Sequence, residues 1–279
     1  MDTVILNNGV EMPLIGIGTS QLDEDTCERT VQEALALGYR FIDTAQSYRN
    51  EGAVGRAVRQ SGVPRKDVFL ATKLSIANTT YEKAKESCKR SLDRLGVGYV
   101  DLLLLQFPYN DVFGAWRALV ELREEGLVQA VGVCNFAADR LTDLVLHVKE
   151  RPQVAQFERH PYFQRPQLME YIRRQDIQGV ARGPFGSCRS ELLHDAVVMQ
   201  IADKHNRSPR QVLLRWQTQK GVVVVPTRSD AAQLADSMES FNFVLSAEEC
   251  AAIEALERDE STMPAHMMTP DWIEKLCRG

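Results

Sequence analysis

Three residues of this 279-residue chain could together do acid–base chemistry: Asp43, Tyr48 and Lys73. A phenol is a poor acid near neutrality, with a reference pKa of about 10. An ammonium beside it stabilises the phenolate and lowers that value, and a carboxylate holds the ammonium in place. A trio arranged in this way can give a proton to a carbonyl oxygen as hydride arrives at the carbon. Spacing alone fits a second arrangement, and favours it: a buried Asp43–Lys73 ion pair serving architecture, with Tyr48 an ordinary loop aromatic.

The elements that carry these residues follow from hydrophobic patterning. Short apolar runs predict strands at Ile15–Gly18, Phe41–Asp43, Val68–Lys73, Val100–Gln106, Ala130–Asn135, Val154–Glu158, Ile177–Arg182 and Val222–Pro226. Uninterrupted LLLL and VVVV fit parallel strands covered on both faces. Between them lie amphipathic segments closed by glycine, as at Gly38, Gly96 and Gly126, and one opened by Ser208-Pro209. Even spacing of eight such units predicts an α/β chain folded as one (β/α)8 barrel domain over 1–279, with a doubly wound open sheet as the competing arrangement. Barrel sites form at the carboxyl ends of the strands, where this chain sets Asp43, Lys73, Gln106, Asn135, Gln156, Arg182, and Thr227 with Arg228. Residues 3–12, around Asn7-Asn8-Gly9, predict a hairpin plugging the barrel floor, and Asp195–His205 an extra helix. The tail from Glu257, with Met263, Met267, Met268 and Trp272, fits either a surface segment or a flap over the mouth.

Composition removes several function classes. A formal charge of −5 without a basic stripe argues against nucleic acid. The longest apolar runs, Leu102–Leu105 and Val222–Val225, are too short to span a bilayer, and the first residues lack a signal-peptide pattern. Six well-separated cysteines predict reduced thiols in the cytoplasm rather than a disulfide framework. The five histidines show no metal spacing, so no metal is expected, and Cys134 reads as a small packing side chain rather than a nucleophile.

The stretches MPLIGIGT (12–19), GYRFIDTAQSYRNE (38–51), SGVPRKDVFLATK (61–73), SLDRLGVGYVDLLLL (91–105), EEGLVQAVGVCNF (124–136), RHPY (159–162) and SPRQVLLRWQTQKGVVVVP (208–226) resemble the aldo-keto reductase family nearly end to end. The resemblance implies a (β/α)8 monomer that binds NADPH across the strand ends and reduces a small-molecule aldehyde or ketone. It implies Tyr48 as proton donor, Lys73 and Asp43 as its tuning pair, and Asn135 and Gln156 as holders of the nicotinamide carboxamide.

The departures are specific. Gln106, in QFP, stands where the family usually has the histidine of H-W-P; an amide can donate an N–H but cannot titrate. Cys134 replaces a serine, and Arg182 replaces the tyrosine whose ring stacks on nicotinamide. At the adenosine end Thr227, Gln233 and Ser237 replace lysine, arginine and asparagine, leaving Arg228 to meet a 2′-phosphate. Each lost charge-assisted contact is worth roughly 1.5–3 kcal/mol, so NADPH binding is expected to be weak or lost. Ser20, Ser75 and Phe107 stand where bulkier aromatics are usual, implying a wide pocket for a bulky metabolite of secondary metabolism, and Arg49, Arg159 and Arg182 suggest an acidic group on it. Two enzymatic readings stay open: NADPH-dependent carbonyl reduction, or a repurposed barrel performing cyclisation, dehydration or isomerisation without hydride. A non-catalytic binding protein is the third.

Overall fold

A computed structural model describes residues 2–186, 190–227, 230–264, 267 and 269–278. An antiparallel hairpin, β1 (Thr3–Ile5) and β2 (Glu11–Pro13), precedes eight parallel strands. These are β3 (Ile17–Gly18), β4 (Phe41–Asp43), β5 (Phe69–Leu74), β6 (Val100–Leu105), β7 (Val128–Cys134), β8 (Val154–Glu158), β9 (Gln178–Arg182) and β10 (Val223–Val225), paired in chain order. Bridges Ile15–Val224 and Gly18–Thr227 join the last strand to the first, so the sheet closes into a barrel, not a doubly wound sheet.

Helices α1 (Glu24–Ala36), α2 (Glu51–Gln60), α3 (Tyr81–Leu95), α4 (Val112–Glu124), α5 (Ala138–His147) and α6 (Pro166–Arg174) alternate with the strands. Past β9 come α7 (Ala196–His205), capped by the Asp195 side chain, and α8 (Pro209–Thr218), opened by a Ser208–Gln211 capping box. Helices α9 (Ala231–Met238), α10 (Ala247–Glu254) and α11 (Pro270–Arg278) complete the chain. Gly96 ends α3 at φ 62°, a left-handed conformation that suits a residue without Cβ.

Strand side chains alternate between the barrel axis and the helices. Leu102, Leu104, Phe69, Ala71, Val154, Val180, Val223 and Val225 fill the interior, while Leu103, Leu105, Val131, Val133 and Phe157 pack beneath the helices. Leu6, Met12 and Leu14 join the interior cluster from below. Asn7 donates to the carbonyls of Pro152 and Asp176, and Asn8 to that of Gln129, pinning the hairpin to the floor. The same alternation carried one step up each strand points Asp43, Lys73, Gln106, Cys134, Gln156, Glu158 and Arg182 toward the axis at the mouth. The apolar layers below supply a rigid base for this polar ring.

Candidate active site

Strands β4 and β5 present Asp43 and Lys73 to each other, both almost fully buried. Lys73 Nζ lies 2.5 Å from Asp43 Oδ2, 3.0 Å from the Thr44 carbonyl and 3.5 Å from the Tyr48 hydroxyl. Tyr48 ends a 3-10 turn, Gln46–Tyr48. Asn50 holds this loop: it donates to the carbonyls of Thr19 and Leu22 and accepts from the hydroxyls of Thr19 and Thr44. Thus the trio singled out in the sequence does converge, and the buried ion pair and the phenol belong to one cluster.

The electrostatics depart from expectation in sign. Burial raises the Tyr48 pKa above its ordinary value of 10.0, against the pull of the Lys73 ammonium and with the Asp43 carboxylate adding to the rise. The adjacent amine does not make this phenol unusually acidic, because burial outweighs its charge and the carboxylate opposes it. For Lys73 burial pulls downward, yet the carboxylate and its hydrogen bond win and raise the pKa. Near neutrality the cluster is therefore a neutral phenol facing a charged ammonium.

Two amides flank it. Gln156 donates to Asp43 Oδ1 at 3.1 Å and accepts from the Cys134 thiol at 3.3 Å. Asn135, at φ 60°, donates to the Gln106 carbonyl at 3.0 Å and accepts from Arg182 Nε at 2.9 Å. An amide carries two N–H groups and two carbonyl lone pairs. Among the described residues each of these amides thus keeps one donor and one acceptor uncommitted, the pairing a primary carboxamide ligand requires.

Gln106 does not contact the phenol directly; its side chain donates to Ser47 Oγ at 2.7 Å, beside Tyr48. Phe107 stacks with Tyr109 and meets Trp272 of α11 edge-on, with centroids 5.2 Å apart. Helix α11 also packs on the Ile76–Asn78 turn, so the tail lies as a flap at the mouth, and Trp272 restores aromatic surface beside Phe107. Ser75, half-buried, accepts from Asn78, and Ser20 is half-buried above β3.

Other expectations need correction. Arg159 is not at the mouth: it is 5% exposed, donates to Gln164 and Gln217, and stacks on Trp216. Arg182 stands at the mouth, but its charge is answered by Glu158 Oε2 at 3.8 Å. At the adenosine end Thr227 bridges Gly18, and Gln233 is half-buried at the start of α9. Ser237 is fully buried with its hydroxyl donated to the Gln233 carbonyl, so it offers no group to a groove. Arg228 lies outside the described residues.

Glu158 and Ser47 went unnoticed in the sequence. Glu158 shares strand parity with Gln156, and that was the available signal. Cys27, Cys88, Cys134, Cys250 and Cys277 are free thiols. Burial pushes the Cys134 pKa up to about 11. Alkylation of the folded protein at pH 8, followed by mass spectrometry, is expected to leave Cys134 unmodified; rapid modification would show an accessible thiolate. No cluster of metal-binding side chains occurs among the described residues.

Comparison with known proteins agrees with this architecture. The Aldo/keto reductase family profile matches residues 14–258. Glyoxal reductase of Bacillus subtilis (strain 168) is 38% identical over 94% of this chain and 95% of its own. A 9,11-endoperoxide prostaglandin H2 reductase of Trypanosoma cruzi (strain CL Brener) is 38% identical over 92% of both. The crystal structure of an aldo-keto reductase from a Medee basin deep-sea metagenome library superposes with a TM-score of 0.92 at 35% identity, covering 94% of this chain and 97% of that one. With its barrel closed and its polar ring at the strand ends, the chain belongs to the aldo-keto reductase family and is an oxidoreductase.

Proposed function

We propose that the protein reduces an aldehyde or ketone with NADPH, Tyr48 supplying the proton. The observation that carries this reading is the position of Lys73 Nζ, between Asp43 Oδ2 and the Tyr48 hydroxyl. The bound cofactor would supply hydride to the carbonyl carbon. Tyr48, kept protonated by its raised pKa, donates to the carbonyl oxygen, and the Lys73 ammonium stabilises the phenolate left behind. Solvent then returns the proton. Asp43 keeps Lys73 charged and in place, and Ser47 turns the Gln106 amide toward the phenol's side of the mouth.

Asn135 and Gln156, each with a spare donor and acceptor, would hold the carboxamide. The adenosine end is the weak half. With Thr227 and Gln233 neutral, a 2′-phosphate loses two charged partners, each worth about tenfold in affinity. The substrate in this reading lies between a small wall, Ser20 and Ser75, and the aromatic pair Phe107 and Trp272, which suits a bulky carbonyl compound.

Titration with NADPH, followed by nicotinamide fluorescence, is expected to saturate with weak affinity. Gln233→Arg is expected to tighten NADPH about tenfold while leaving NADH unchanged, since only the former carries the 2′-phosphate. Absence of saturation up to millimolar NADPH would remove the hydride and leave the acid–base trio to non-redox chemistry.

A further inference from the structure

Arg182 stands in two interactions at once. Its Nε donates to Asn135 Oδ1 at 2.9 Å, and its terminal nitrogen lies 3.8 Å from Glu158 Oε2. The Glu158 carboxylate is in turn where the tail lands. Ser261 donates its hydroxyl to Oε2 at 2.7 Å, and Thr262 donates both backbone N–H, at 2.6 Å, and hydroxyl to Oε1. His160 Nε2 sits 3.1 Å from the same oxygen. Arg258 and Glu260 add backbone N–H bonds to the Tyr162 carbonyl. Further along the tail, Trp272 of α11 meets Phe107 at the rim beyond β6.

Glu158 is 2% exposed, so its charge depends on these donors. When the tail leaves, the carboxylate loses three of them and is left with His160 Nε2 on Oε1 and Arg182, the charged group facing Oε2. The guanidinium is then drawn from Asn135 toward Glu158. Conversely, a docked tail satisfies Glu158 and leaves the fork free to fix Asn135. Asn135 occupies a left-handed conformation, and its amide has no side-chain partner besides Arg182 among the described residues.

We propose that Arg182 is a positioning residue that couples docking of the C-terminal tail on Glu158 to the orientation of the Asn135 amide, so that tail closure and binding at that amide strengthen each other. The part that concerns cofactor rests on Asn135 holding the carboxamide; the tail coupling does not. A lysine could not serve, because one ammonium lacks the planar fork that addresses two acceptors at fixed angles.

The test is a thermodynamic cycle with two readouts: affinity for NADPH, and the rate of tryptic cleavage after Arg258 and the exposed Lys275. The tail-loosened variant Ser261→Ala/Thr262→Val is expected to bind NADPH about fivefold or more weakly than the native chain. In an Arg182→Leu background the same pair of substitutions is expected to change affinity less than about twofold, with Arg182→Lys behaving like Arg182→Leu. By reciprocity NADPH slows tail cleavage by the factor lost. An equal loss with and without Arg182, or no loss in the native background, overturns the coupling. A cofactor-free arm separates the two readings if the native chain fails to bind NADPH. There, Asn135→Ala is expected to change tail cleavage severalfold with Arg182 present and not with Arg182→Leu; no change in either background overturns the coupling itself.

Discussion

Tyr48→Phe is expected to lower turnover about 10²- to 10⁴-fold, the usual worth of a positioned general acid, while folding and NADPH affinity stay near native. The expectation rests on what the hydroxyl does and does not hold. Its contact with Lys73 is 3.5 Å, whereas Lys73 keeps Asp43 at 2.5 Å and the Thr44 carbonyl at 3.0 Å without it. Removing the oxygen therefore costs at most about 1 kcal/mol of stability, or a few degrees in Tm for a chain this long. Activity and stability should thus separate cleanly. Reduction by the native chain should also be level from about pH 6 to 8, because the phenol's raised pKa keeps it protonated there and Gln106 has no titration of its own. Native turnover in the Phe variant would remove Tyr48 as donor.

Much of this site could be read from the sequence because strand parity is a strict rule. Once Phe41, Ala71, Leu104 and Val154 face the axis, Asp43, Lys73, Gln106 and Gln156 must do so one step later. Parity would also have found Glu158, had the strand's last residue been followed as closely as its middle. Where reading failed, the failing quantity was a balance between effects rather than a position. The sign of the Tyr48 shift depends first on how deep the hydroxyl lies, and then on the opposed charges of Lys73 and Asp43. Arg159 follows the last residue of β8, and that position alone suggests a place at the mouth. Its guanidinium instead found carbonyl and amide acceptors and the Trp216 face, partners more than fifty residues away in sequence for Gln217 and Trp216. Ser237 sits on the buried side of an eight-residue helix, where a one-residue shift in phase decides whether a hydroxyl faces a groove or its own backbone. The closing tail was undecidable from composition; Trp272 on Phe107 and the two hydroxyls on Glu158 settle it through contacts with strands more than a hundred residues earlier.

Asp43→Asn is expected to reverse the pH dependence of stability that Lys73 contributes. The lysine is 1% exposed, and Asp43 is its salt-bridge partner among the described residues. Neutralising that partner leaves a buried ammonium with only dipolar acceptors, a change that costs about 3–5 kcal/mol when a buried pair is broken from one side. In the native chain the folded pKa of Lys73 is raised above its ordinary 10.5. Its contribution to stability is then fully present below 10.5 and is lost only as pH rises through the folded value. In Asp43→Asn burial loses its main opponent, so the folded pKa is expected to fall below 10.5 and the folded state to bind fewer protons than the unfolded one. Stability of the variant must then rise with pH toward 10.5, by the sign of the linkage relation. Urea unfolding of both proteins from pH 7 to 10 measures this, and the difference between the two curves removes the other lysines and tyrosines that titrate in that range. The double variant Asp43→Asn/Lys73→Met discards the charge altogether and is expected to be more stable than Asp43→Asn alone, though inactive, because a methionine fills the lysine's volume without needing a counter-charge. A native–variant difference that stays constant from pH 7 to 10 would mean that Lys73 keeps its proton without Asp43, and the carboxylate would then lose its assigned part in holding the charge beside Tyr48.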